Sequence, residues 1–234
     1  FRADYTVTFQ CEKLGCVLFP GAEYAGFVHV SDIGIDTSVF VKEEDVCFTL
    51  DSKDMACFLP QRPADSHKGT YGKVLMITGS RGMAGAAYLS ARAAYTCGAG
   101  LVRIYTHESN RAILQQLLPE AVISTYGDDV VESAIGEGGV ADVGTEKPGS
   151  DGEKLSSLLA WADVVCIGCG LGQDDMAKWL LENVLLQCEA PCVVDADGLN
   201  LLSRDMGLLR KTKADVVLTP HMKEMSRMIR CPVA

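Results

Sequence analysis

Lys73-Val-Leu-Met-Ile-Thr-Gly-Ser-Arg-Gly-Met-Ala-Gly85 is the stretch that decides the fold of this chain. Its first six residues have the length and apolar character of a buried strand. Glycines 79, 82 and 85 then interrupt the run and lead into an alanine-rich helix over 84–97. Gly98 and Gly100 stop that helix, and Leu101-Val-Arg-Ile-Tyr105 reads as the next strand. The alternation continues downstream. Helices are predicted over 110–118, 153–161, 174–188 and near 198–209, with another opening at His221; strands are predicted over 163–167, 191–195 and 215–219. Strands alternating with helices predict an α/β domain whose mostly parallel sheet is covered on both faces.

Upstream of this pattern the chain reads differently. Tyr5-Thr-Val-Thr-Phe9, Gly15-Cys-Val-Leu-Phe19 and Phe27-Val-His-Val30 predict three short strands punctuated by Pro20-Gly21 and Gly34, an all-β segment over 1–36. Three such strands cannot bury a core alone, so they predict the edge of a sheet continued elsewhere. Residues 42–59 carry a helical pattern ended by Pro60 and Pro63.

Composition limits the function classes. With 48% hydrophobic and 22% charged residues among 234, the chain is too apolar for wholesale disorder. Its longest apolar runs fall far short of the ~18 residues of a membrane span, so no membrane partner is expected. The first residue is phenylalanine and no charged-then-apolar leader follows it, which predicts a processed chain or a piece of a longer one. The net charge is −10, of which −8 lies between Glu120 and Glu153, where nine acids face one lysine, Lys147. That segment predicts a solvated acidic excursion. No basic patch is present, so nucleic acid is not an expected partner. Ten cysteines sit mostly in apolar runs: Cys166 and Cys169 end a strand, Cys97 lies in a helix and Cys192 in another strand. They read as small core hydrophobes in a reduced, cytoplasmic setting rather than as a metal or disulfide framework.

Ligands of parallel sheets bind beyond the carboxyl ends of the strands. Four strand ends carry a signature there. Gly79-Ser-Arg-Gly-Met-Ala-Gly85 is neither a Walker loop nor a dinucleotide GxGxxG, yet it lets backbone approach a ligand. Gly168-Cys-Gly-Leu-Gly172 does the same after strand 163–167. Asp195-Ala-Asp-Gly-Leu-Asn200 offers Asp195 as a strand-end acid, with Asp197 expected to cap the helix that follows. Thr219-Pro-His-Met-Lys-Glu224 places His221 and Glu224 at a helix start, where His221 is expected to face a ligand, while His29 and His107 are expected on strand or loop surfaces. His67-Lys-Gly69 could bring charge to the same rim. Together these point to a site that handles a nucleotide or a phosphate.

The same motifs, taken in order with His67-Lys-Gly-Thr-Tyr-Gly-Lys-Val74 and Gly98-Ala-Gly-Leu-Val102, resemble the ADP/ATP-dependent NAD(P)H-hydrate dehydratases. Ala3-Asp-Tyr-Thr-Val-Thr-Phe9, Lys13, Pro20-Gly21 and Asp32-Ile-Gly-Ile35 resemble the tail of an NAD(P)HX epimerase domain. Three departures stand out: Cys169 replaces a proline of the family's GPGLG, Gly198 an alanine of DADALN, and Met222-Lys223 the Pro-Gly of TPHPGE.

The resemblance implies a ribokinase-like three-layer αβα sandwich over 38–234, preceded by the end of an epimerase domain over 1–37. It implies phosphorylation of the ring hydroxyl of the S-epimer of NAD(P)HX by ADP or ATP, followed by loss of phosphate to give NAD(P)H. Gly82, Gly85, Ala86, Gly170, Gly172 and His221 would contact the hydrated cofactor. Asp195, Asn200 and Glu224 would line the phosphate and magnesium region. Magnesium would accompany the nucleotide, potassium would belong to the epimerase half, and the protein would form a homo-oligomer, tetrameric or larger. The family's Gly-Thr-Gly-Asp segment, with its catalytic aspartate, would lie beyond Ala234, and the epimerase residues before Phe1, which would leave this piece inactive by itself. Two other readings stand beside this one: a ribokinase-fold kinase acting on a sugar or vitamin alcohol, and an inactive binding module.

Overall fold

The computed structural model describes residues 1–40, 47–48, 50, 52–59, 62–127 and 150–233, and it divides into compact units at Phe1–Arg62 and Pro63–Ala234. The boundary expected at residue 37 falls inside the first unit.

In the first unit, β1 (Tyr5–Phe9) pairs in parallel with β2 (Phe27–Ser31), Tyr5 opposite Phe27. The predicted strand over 15–19 is instead helical: α1 (Leu14–Val17) and α2 (Gly21–Ala25) fill the connection. The reason is topological. Two parallel strands need a crossover between them, and helices close that crossover with their own hydrogen bonds. The all-β reading of 1–36 is therefore corrected to β-α-α-β. Val7, Phe9 and Phe27 stay exposed on this two-stranded sheet. Of the helix predicted over 42–59, α3 (Ser52–Phe58) is present; 41–46, 49 and 51 lie outside the described residues.

The second unit holds a six-stranded, wholly parallel sheet in the order β5-β4-β3-β6-β7-β8. Its strands are β3 (Lys73–Ile77), β4 (Leu101–His107), β5 (Val122–Tyr126), β6 (Val164–Ile167), β7 (Cys192–Val194) and β8 (Val216–Leu218). Its helices are α4 (Ala84–Thr96), α5 (Arg111–Leu117), α6 (Ser150–Trp161), α7 (Asp175–Gln187), α8 (Asp197–Leu202) and α9 (Met222–Ile229). The pleat sends alternate residues to opposite layers. Leu75, Ile77, Val165, Ile167 and Val194 pack with α6, α7 and α8, while Met76, Val102 and Ile104 pack with Ala87, Ala91 and Leu114 of α4 and α5. This is the expected three-layer αβα sandwich.

Helix α7 shows how sequence makes an element here. Asp174 caps it by accepting from the Ala177 amide at 2.8 Å, and Leu180, Leu181, Val184 and Leu185 recur on one buried face. Each such side chain contributes about 1.5–3 kcal/mol on burial.

Strand β5 lies within the segment read as an acidic excursion; residues 128–149 of that segment are outside the described ones. The predicted helix near 198–209 breaks after Leu202, because Asp205 accepts from the Gly207 amide and starts a separate 3-10 turn, Met206–Arg210. Cys97 is exposed at the end of α4 rather than in the core, whereas Cys188 and Cys192 are buried.

Candidate functional site

From β3 the chain turns onto one face of the sheet through α4; from β6 it turns onto the other through α7. The loops after these neighbouring strands diverge, which opens a crevice at the carboxyl edge. Its floor is two glycine loops hydrogen-bonded to each other. The Gly79 amide donates to Cys169 O at 3.0 Å and the Ser80 amide to Gly170 O at 2.6 Å. Gly168 has φ +126°, and a side chain there would begin 1.9 Å from Asp195 O, so backbone alone fits. Gly170 lies against Ala86, whose Cβ would be 2.5 Å from a Cβ at 170, so the structure brings these two expected substrate residues together. Gly82 and Gly85 face open space at the start of α4.

The expected phosphate-side residues gather on the β7–β8 side, where each is tied to a neighbour. Asp195 accepts from Thr219 Oγ1 at 2.8 Å and from Cys169 Sγ at 3.4 Å. The neighbouring Cys166 thiol, then burial and the charge of Asp195, push the Cys169 pKa up, so Cys169 stays a protonated donor. Asn200 Oδ1 accepts from Arg227. His221 caps α9: its Nδ1 accepts from the Lys223 and Glu224 amides at 3.1 and 3.4 Å. The ring proton therefore sits on Nε2, 3.2 Å from Glu224 Oε1, while Glu224 Oε2 accepts from the His221 amide at 3.0 Å. This is a capping box with a histidine in the capping place. Its imidazole is 64% exposed at the crevice rim, while Glu224 is buried.

Three expectations are corrected here. Asp197 is the first residue of α8, not its cap. Its carboxylate accepts from the Gly172 amide at 3.0 Å and from Gln173 Nε2 at 3.4 Å, which gives the Gly172 backbone donor its partner. His67 caps the 3-10 turn Lys68–Tyr71 beside the amino end of β3, the opposite edge of the sheet, so it brings no charge to the rim. His107 ends β4 and is buried, not a surface residue.

His107 belongs to a group the sequence did not reveal. The Gly79 carbonyl receives three donors: Thr106 Oγ1 at 2.6 Å, Asn110 Nδ2 at 3.2 Å and the His107 amide at 3.3 Å. Asn110 Nδ2 also reaches Ser80 O at 2.9 Å. Thr106 and Asn110 are buried. Beside them opens a cavity of about 310 Å³ lined by Ser80, Arg81, His107, Tyr126, Asp174 and Met176, among others. The His107 and Tyr126 rings meet edge to face at 5.7 Å. Burial, with Asp174 nearby, pushes the Tyr126 phenol pKa up and keeps it neutral. The signal that could have found this cavity was β5, which puts Tyr126 beside His107.

Among the described residues no group of three or more His, Cys, Asp or Glu side chains is placed to hold a metal ion. The carboxylates of Asp195 and Glu224 are directed into hydrogen bonds instead. No helix among the described residues is long and apolar enough to cross a membrane.

Residues 74–234 match the family model described as NAD(P)H-hydrate dehydratase. The chain is 35% identical over 228 residues to a bifunctional NAD(P)H-hydrate repair enzyme of Moorella thermoacetica, covering 97% of this chain and 41% of the relative. It is 37% identical over 170 residues to an ADP-dependent (S)-NAD(P)H-hydrate dehydratase of Lactiplantibacillus plantarum, covering 72% of this chain and 52% of that one. The chain thus spans about half the length of these relatives or less. Among solved structures, it resembles an ADP/ATP-dependent NAD(P)H-hydrate dehydratase of Bacillus subtilis, co-crystallized with ATP and Mg2+. That match has TM-score 0.56 and 30% identity, over 77% of this chain and 55% of that one. A ribokinase-like superfamily protein of Enterococcus faecalis matches with TM-score 0.64 and 29% identity, over 81% and 60% of the two chains.

Proposed function

The chain belongs to the NAD(P)H-hydrate dehydratase family, and from that premise we propose that the complete protein returns the S-epimer of NAD(P)HX to NAD(P)H with ADP or ATP as phosphoryl donor. The carrying observation is the pair of joined glycine loops, a backbone surface laid between Ala86 of α4 and the polar ends of β7 and β8. Such a surface suits a reaction whose catalysis is mostly positioning and charge neutralisation. The ring hydroxyl of the hydrated cofactor accepts the phosphoryl group, and loss of phosphate restores the dihydropyridine.

In this reading Gly82, Gly85 and Ala86 hold the cofactor's anionic groups at the start of α4. Gly170 and Gly172 present backbone to the same substrate. His221 orients it from the rim through an imidazole that Glu224 keeps in one tautomer. Asp195 and Asn200 line the phosphate side. Nucleotides carry magnesium on their phosphates.

Residues 1–37 are proposed as the tail of an NAD(P)HX epimerase domain, to which the potassium requirement belongs, and 38–234 as dehydratase. The bifunctional relatives, matched over 97% of this chain, support an epimerase portion beside the dehydratase, and the relative named as ADP-dependent supports ADP as the donor. The free cysteines fit the cytoplasm. A homo-oligomer is proposed from the family.

The test is to incubate the complete protein with hydrated NADH and either nucleotide, and to follow the return of dihydropyridine absorbance. Phosphorylation of small alcohols without that return would assign a kinase instead. His221→Ala should lower kcat/KM for the hydrate about tenfold; unchanged kinetics would remove His221 from the site.

A further inference from the structure

We propose that the cavity between the Gly79–Ser80 loop and the start of α7, walled by His107, Tyr126, Asp174 and Met176, is the subsite for the non-reacting adenosine half of the dinucleotide substrate. This deepens the function proposed above and rests on it.

The cavity adjoins the reaction crevice. A side chain at Gly172 would begin 3.5 Å from Ser80 Oγ and 4.0 Å from Asp174 Oδ2, so these residues meet where crevice and cavity join. A substrate held by the glycine loops needs only to bend over Ser80 and Gly172 to enter. The volume, about 310 Å³, suits a group of nucleoside size and is too small for a whole dinucleotide.

The lining selects the kind of group. The His107 and Tyr126 rings, set edge to face, and the buried Met176 line the cavity with ring and thioether surface, which suits a planar heterocycle. Asp174 and Asp175 put two acidic residues in the lining. They repel phosphates, which excludes the cavity as the donor's phosphate site. They accept hydrogen bonds from an exocyclic amine, which adenine carries. Arg81, itself part of the glycine loop, also lines the cavity, where the pyrophosphate linking the two halves would pass. The reacting ring belongs outside, since nothing in the cavity is placed for phosphoryl transfer beside those acids.

Asp174→Asn is the cleanest variant, because asparagine still caps α7 for the Ala177 amide while the charge is lost. His107→Ala is the second. Binding of NADH and of NMNH, the reduced mononucleotide without adenosine, is measured by calorimetry on the complete protein. Turnover of both hydrates is measured alongside. Expected is a loss of about tenfold in NADH affinity and in kcat/KM for hydrated NADH, with kcat within about twofold and NMNH unaffected. Equal losses for NADH and NMNH would place the reacting half in the cavity and overturn the proposal. So would NADH binding that neither variant changes. If the wild type turns over neither hydrate while the NADH-specific binding loss persists, the subsite stands and the dehydratase reading falls.

Discussion

The two arms of the carboxyl edge are built differently. On the β3–β4–β5 arm, the Gly79 carbonyl is held by Thr106, Asn110 and the His107 amide, all from buried residues. On the β6–β7–β8 arm, the equivalent bonds each have at least one partner in contact with water: Thr219 to Asp195, Gln173 to Asp197, Arg227 to Asn200, and the exposed His221 imidazole to buried Glu224. Hydrogen bonds in a dry interior are stronger and costlier to break than those at a surface. The first arm is therefore a preformed template. The second can re-aim its side chains, which suits the substrate contacts proposed for it.

The joint between the arms is the place to break this comparison most severely. Gly168→Ala puts a methyl group 1.9 Å from Asp195 O, on a residue whose φ of +126° already disfavours a side chain. A loss of more than about 3 kcal/mol in unfolding free energy is expected, read by chemical denaturation, with activity lost alongside. A variant with wild-type stability would show that the loops after β6 and β7 part without cost, so that the base of this arm is no firmer than its rim.

Asn110→Ala tests the rigid arm alone. It removes donors from Gly79 O and Ser80 O in a buried setting, and a loss of about 1–3 kcal/mol is expected. Asp197→Ala tests the mobile arm. It frees the half-buried Gly172 amide and the exposed Gln173 side-chain amide, and about 1 kcal/mol or less is expected from the same measurement. If Asp197→Ala costs more than Asn110→Ala, the contrast between the arms is reversed.

The contrast also explains what the sequence revealed. The mobile arm was legible because its polar residues sit within a few positions of a strand end and interrupt apolar runs: Asp195, Asn200, His221 and Glu224 could be picked out one by one. Their capping roles were less legible, since Asp197 looked like a cap and is instead a clamp on Gly172. The rigid arm was hidden because its bonds link residues 27 and 31 positions apart, and no local pattern records them. The predicted strand stops at Tyr105, His107 reads as a strand or loop surface residue, and Asn110 as the start of a helix. Strand β5 was lost inside an acid-rich segment although only Glu120 precedes it there. The crossover helices α1 and α2 were missed because Gly15–Phe19 has strand-like residues, while the parallel pairing that forces a crossover depends on a partner 22 residues away.

The smallest expected effect lies at the outer margin of the rigid arm, where its bonds reach water. Glu108 accepts from Arg111 and from Thr125 on β5, and these hydrogen bonds hold its pKa well below the usual carboxylate range, at about 2. A carboxylate with a lowered folded-state pKa adds stability above its unfolded value of about 4.3, and that stability is lost as pH falls towards 2. Glu108→Gln should therefore lower Tm slightly at pH 7, and the gap from wild type should close progressively below pH 4. Because Glu108 is exposed, solvent screens the contribution, and added salt should shrink it further. A gap that persists undiminished at pH 2 and in high salt would mean that Glu108 acts through packing. The dry character of this arm would then extend to its surface.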